Sequence, residues 1–257
     1  MAADSRLSDA DGLLIDEGMK LFEVPITCRS PGPGGFFDQP FVSRSVGMVA
    51  VGGSLVFQHV YGTMVTMLGS LVGQSGSGPT NADVAQFPAR LTTIYVRRLG
   101  VFRPKNADLV GIAIGGISRA GEVEAFELVR RRMTDGSIEF VAERLDTSPG
   151  QVHFMGDQVG QARKACEEVE LQDQPGAPKE RAALNVIESF IEDPSIDSIG
   201  GEVQVGHTVG FSFRRMFSVR PLEMGKPQAR MGLNAIDLAE ISSVGPCQIA
   251  PMGMVTP

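Results

Sequence analysis

The chain has 257 residues, 42% of them hydrophobic, enough to bury a sizeable core in one large domain or two small ones and too apolar for a disordered or collagen-like chain. Lys and Arg number 23 against 30 Asp and Glu, so the net charge is −7 and no cationic surplus exists to match a phosphate backbone; nucleic acid is excluded as an expected partner. Three scattered cysteines, Cys28, Cys166 and Cys247, form neither a disulfide framework nor a Cys-x-x-Cys pair, and the acidic opening MAADSRLSDADG is unlike a secretory signal; a reducing, cytoplasmic setting is expected.

In chain order, KLFEVPIT (20–27) and VGMVAV (46–51) read as strands on either side of the loop SPGPGGFFDQP. From Ser54, placed to act as an N-cap, the apolar period changes to three or four residues through Phe57, Val60, Tyr61, Met64, Leu68 and Leu71, which predicts a helix. No charged residue falls between Arg44 and Asp83, but Gly52-Gly53-Ser54, Gln58 and His59 interrupt the run, so a buried strand and helix are expected and a membrane span is not. A second helix is predicted over 82–99, weakened by Pro88.

Strands follow at 109–117, 122–129 and 137–145, the last two joined across Asp135-Gly136 as an antiparallel meander. A further strand is predicted at QVHFMG, then helices at 159–169 and 179–192, then strands at 201–209 and 211–219. Segregated blocks of strand and helix predict an α+β fold, and two helix pairs pack most economically as a four-layer αββα sandwich. The expected organisation is one domain over 1–219 and an irregular extension over 220–257, which is rich in Gly, Pro and Met.

His59, His153 and His207 lie on different elements without metal-ligand spacing. GQSGSGPT (73–80) has Pro79 where a phosphate loop needs lysine, and GIAIGG (111–116) reads as a strand with close backbone packing. Neither a cofactor nor a metal is expected.

The opening AADSRLSDADGLLIDEGMKLFEV resembles that of proteasome β-subunits and their bacterial relatives, N-terminal nucleophile hydrolases. The resemblance covers about residues 2–215. It implies catalytic roles for Asp4 and Lys20, sixteen residues apart, for the backbone N–H of Gly52 in VAVGGSLV as oxyanion donor, and for Asp197 in IDSIGGEVQV. It also places Ser8 and Ala50 along a substrate groove and implies a peptide or amide substrate and a homo-oligomer. Asp157 and Gly200 stand where the family has serines, so the surrounding polar shell differs.

The chemistry stands beside the likeness. An ammonium lowers the effective pKa of a neighbouring hydroxyl, and a carboxylate fixes that ammonium. A bare Asp–Lys ion pair between adjacent strands is the structural alternative. By the family spacing, the nucleophile and its strand fall about a dozen residues before Met1, so the chain as written is expected to be inactive. Thr27 and Cys28 do not replace a nucleophile that carries a free amino group. The expected function is a threonine-type peptidase or amidohydrolase when an upstream nucleophile is present; the alternative is a noncatalytic assembly or binding subunit.

Overall fold

Phe22, Val24, Ile26 and Cys28 are buried while Glu23, Pro25 and Thr27 between them are more exposed, the period-two signature of a strand with one face in a core. The computed structural model describes the chain apart from residues 10–11, 17, 33–35, 38, 75, 77, 101–109, 173–178, 219, 224–225, 229–242, 245–246, 249–252 and 255–257. The elements are β1 (Ala2–Ala3), β2 (Leu7–Asp9), β3 (Gly12–Ile15), β4 (Leu21–Ser30), β5 (Gln39–Gly52), α1 (Ser54–Leu68), β6 (Leu71–Val72) and α2 (Asn81–Gly100). They continue with β7 (Val110–Ile117), β8 (Val123–Arg132), β9 (Ile138–Arg144), α3 (Val159–Gln172), α4 (Lys179–Glu192), β10 (Gln204–Val209) and β11 (Ser212–Ser218). Short strands β12 (Arg220–Glu223), β13 (Lys226–Gln228), β14 (Ser243–Val244), β15 (Cys247–Gln248) and β16 (Gly253–Met254) complete the described chain. The fold is mixed α+β.

Two compact units divide these elements. The first comprises Met1–Leu21, Asp157–His207 and Arg215–Pro257; the second comprises Phe22–Gly156 and Thr208–Arg214.

In the second unit a six-stranded sheet runs β6-β4-β5-β7-β8-β9. The meander is antiparallel, with Met48 opposite Ile114 and Ile114 opposite Phe126. Val46, Met48, Ile112 and Ile114 are fully buried. Helices α1 and α2 pack against each other and on this sheet, α1 contributing Val56, Phe57, Val60, Met64 and Leu68 from one stripe. Phe57 and Tyr61 meet Phe22 of β4, with ring centroids 4.7 and 4.5 Å from it in tilted arrangements. Phe213 lies against β5, where Ser45 Oγ donates to its carbonyl and accepts from its N–H. Gly47 is required there, since a Cβ would enter the Phe213 ring.

In the first unit β1 pairs antiparallel with β10, Ala2 opposite Val205 and Ala3 opposite Gln204. The hairpin β2–β3 and the helix pair α3–α4 belong to it, as does β16, parallel to β11 with Phe217 opposite Gly253.

Three local expectations change. The N-cap of α1 is Gly53 and no side chain caps it; Ser54 is already the first helical residue, because the chain turns at Gly52 with φ +78°. QVHFMG forms no strand. Strand β5 begins at Gln39, inside the segment read as loop, since extended backbone continues past its apolar stretch. Within 220–257 the described residues include the ladders β12–β13 and β14–β15.

Candidate functional site

The polar centre of the first unit is built by three short pieces of chain: residues 3–6 from the end of β1, residues 16 and 18–20 before β4, and residues 197–204 leading into β10. Asp4 and Lys20 form its ion pair. Lys20 Nζ donates to both carboxylate oxygens of Asp4, at 2.8 and 2.9 Å, and the Lys20 and Asp4 side chains are only 11% and 13% exposed. Such a pair is weakly screened by solvent. Asp4 Oδ2 also accepts from the backbone N–H of Arg6 at 3.2 Å, an Asx-turn, and from that of Gly200 at 3.3 Å. A carboxylate with three donors is held in one orientation, and it fixes the ammonium.

The backbone on both sides is tied down. Ser5 and Arg6 N–H donate to Gly200 O, Gly18 N–H donates to Ser5 O at 2.7 Å, and Gln204 clamps the Lys20 segment. Gln204 Oε1 accepts from the N–H groups of Lys20 and Leu21, both at 3.0 Å, while its Nε2 donates to Gly18 O at 2.7 Å. Ser5 Oγ donates to Asp16 O and accepts from Glu202 N–H. Its hydroxyl is therefore a structural tie. Gly201 has φ +74°, and a Cβ there would run into the Asp16 carbonyl and Ser5 Oγ, so only glycine closes this turn.

Arg6 lies beside the pair. It bridges to Asp16 Oδ1 at 2.5 Å and donates to the carbonyl of Asp197 at 3.1 Å. The hydrogen bond that Arg6 donates to Asp16 raises its pKa above the ordinary value, against the effect of burial, and the charges of Asp16, Asp197 and Asp4 add to the rise. The Met1 α-amino group donates to Gly206 O at 2.8 Å, and burial lowers its pKa. Among the described residues no hydroxyl or thiol is hydrogen-bonded to the Lys20 ammonium, and no group of three or more His, Cys, Asp or Glu is placed to hold a metal ion.

Of the residues singled out in the sequence, Asp4 and Lys20 are in contact, and Asp197 joins them through its backbone carbonyl and Arg6. Ser8 is in β2, opposite Leu13. Ala50 and Gly52 are in β5 of the second unit, opposite Ile112 and Val110. Sequence reasoning missed Arg6, Asp16 and Gln204. Arg6 and Asp16 frame the AADSR motif and the Lys20 segment in sequence, a local charge signal; Gln204 gave none.

No family model and no curated protein matches the chain. Among solved structures, the Gly-1 mutant of Anbu from Hyphomicrobium sp. strain MC1 matches with TM-score 0.50 at 14% identity, over 83% of this chain and 80% of that one. The helical assembly of the Anbu complex from Pseudomonas aeruginosa matches with TM-score 0.50 at 17% identity, over 93% and 85%. Anbu (ancestral beta-subunit) from Yersinia bercovieri matches with TM-score 0.43 at 14% identity, over 79% and 74%. At these identities the likeness is one of fold alone.

These findings correct the reading of the chain as a proteasome β-subunit lacking its first strand and nucleophile: the similar structures are Anbu proteins, a related but different family. The physical reason is the brevity of the motif. AADSR, a lysine sixteen residues on and a glycine pair specify only a turn, an ion pair and a strand end, too little to single out one family.

Proposed function

We propose that this chain is a subunit of a proteasome-like assembly whose Asp4–Lys20 site acts on peptide or amide substrates. The observation that carries the reading is the bidentate, nearly buried Lys20–Asp4 contact, which holds one ammonium where it lowers the pKa of a hydroxyl or water recruited beside it. In this proposal Lys20 is the catalytic residue, Asp4 orients it, and Asp197 supports it through Arg6. Ser8, in the same unit, is proposed as a substrate-contacting position. The proposed architecture is a four-layer αββα sandwich over 1–219 with 220–257 as an accessory extension, self-associating, in a reducing cytoplasmic setting.

A second reading, a noncatalytic assembly or binding subunit, is favoured by the lack of a hydroxyl or thiol on Lys20 among the described residues. One experiment separates them. The purified protein and its Lys20→Met variant are assayed on a panel of fluorogenic peptide amides, with particle size followed by light scattering. The hydrolytic reading expects turnover that falls at least about 100-fold in the variant at unchanged particle size. Equal background from both proteins in the same assembled state overturns it in favour of the second reading.

A further inference from the structure

The Lys20 segment is held by a residue far from it in the chain, acting on backbone alone. Gln204 opens β10 and is only 4% exposed, yet its side chain makes three hydrogen bonds. Its Oε1 accepts from the N–H groups of Lys20 and Leu21, and its Nε2 donates to Gly18 O. Those partners fix which end of the amide is oxygen, since the reverse orientation would set a donor against two donors and an acceptor against a carbonyl. Consecutive N–H groups of an extended strand point to opposite sides, so their convergence on one oxygen marks a bend where β4 begins at Leu21. The Lys20 side chain leaves the backbone from that bend.

The same residue also acts on the other half of the pair. In the β1–β10 ladder Gln204 lies opposite Ala3, the residue before Asp4. Gly18 is tied on both sides, its N–H to Ser5 O and its carbonyl to Gln204, and a Cβ on it would run into Leu7. One residue of β10 thus sets the backbone from which both charged side chains depart. A bidentate contact at 2.8 and 2.9 Å tolerates little drift of either origin, because a shift of about 1 Å exceeds what hydrogen-bond geometry allows.

We propose that Gln204 is the positioning residue of the Asp4–Lys20 site: its amide fixes where the Lys20 ammonium is presented, and its backbone pairing fixes the approach of Asp4. The effect on turnover rests on the hydrolytic reading above; the effect on Lys20 does not. Gln204 acts through Lys20, because its side chain engages the backbone of Gly18, Lys20 and Leu21 and no reacting group. Methionine has nearly the same length without the amide. A protonated glutamic acid has the shape of glutamine and can form all three bonds, whereas its carboxylate sets an anion against Gly18 O. Gln204→Glu is therefore a reversible form of the same lesion.

The test uses the whole protein. Lysines are modified with an amine-selective acetylating reagent and followed site by site by mass spectrometry, with Lys164, 79% exposed, as the internal control. Peptide-amide turnover and thermal unfolding are measured on the same samples. Gln204→Met is expected to raise the Lys20 rate at least about tenfold with Lys164 unchanged. It is also expected to lower kcat at least about tenfold while KM stays within about twofold. Gln204→Glu is expected to match wild type at about pH 5, since burial favours the protonated carboxyl, and to move toward Gln204→Met by about pH 8. Each value is read as a ratio to wild type, so that the groups common to all three proteins, Asp4, Lys20 and Glu202 among them, cancel. Lys20 modified in Gln204→Met at the wild-type rate overturns the proposal. So does a Gln204→Glu ratio that does not change with pH, which decides the matter if Gln204→Met fails to fold. Released Lys20 with no wild-type turnover, or with turnover unchanged, upholds the positioning role and counts against the hydrolytic reading instead.

Discussion

The two units are held together by different means. Counting their residues gives 10 Lys and Arg against 19 Asp and Glu in the first, a charge of −9, and 13 against 11 in the second, a charge of +2. The second unit is organised by volume: Val46, Met48, Ile112, Ile114, Val60 and Met64 are fully buried between a sheet and two helices. Around Asp4, the first unit is organised by hydrogen bonds and charge, with Gln204, Ser5 and Arg6 tying three segments of chain together. An apolar core tolerates changes of pH and is sensitive to lost atoms, whereas a polar centre is sensitive to lost charges.

The contrast can be broken first from the apolar side. Phe213→Ala removes a fully buried ring from against β5 and is expected to cost about 4 kcal/mol, read by urea unfolding, with little change in the cost between pH 5 and 8. A cost under 1 kcal/mol would show that this unit is not organised by packing. On the polar side, Asp4→Ala leaves the Lys20 ammonium and the Gly200 N–H without their acceptor and is expected to cost about 3 kcal/mol. Adding Lys20→Met should recover part of that loss. A double variant no more stable than Asp4→Ala would mean the two charges are not coupled.

The smallest effect sharpens the comparison by placing one titrating group in the apolar unit. Thr80 and Asp83 form a reciprocal cap at the start of α2, and the Thr80 hydroxyl, then its backbone N–H, lowers the pKa of Asp83. A depressed carboxylate stabilises the fold above its unfolded pKa of about 3.9, and that contribution is lost as pH falls through the folded value. Thr80→Ala is expected to cost about 1 kcal/mol at pH 7, and the difference from wild type should shrink below about pH 4. A difference that stays constant down to pH 3 would exclude the charge-assisted part of the cap.

Much of this organisation was legible in the residues. The period-two alternation through Phe22, Val24, Ile26 and Cys28, the three- and four-residue spacing from Phe57 to Leu68, and the Asp135-Gly136 turn each mark an element, because local backbone geometry dictates which side chains share a face. The pairing of Asp4 with Lys20 was what the family resemblance implied, from a motif with sixteen residues between the two. The same residues misdirected the family assignment, because a few short motifs describe local geometry and too little of the chain to single out one family. Ser54 misled as a cap for a similar reason: the residue type was right, but the left-handed turn at Gly52 moved the cap to Gly53.

Elements, their apolar faces and the charged pair were thus determined by the sequence alone, since each depends on residues near in the chain or on a motif of fixed spacing. Only tertiary structure decided that Gln204, 184 residues beyond Lys20, clamps its backbone, that Gly200 completes the shell of Asp4, and that Arg44 donates to Asn81. Those contacts join segments far apart in the chain, and a hydrogen bond across such a distance leaves no periodicity or spacing to be read.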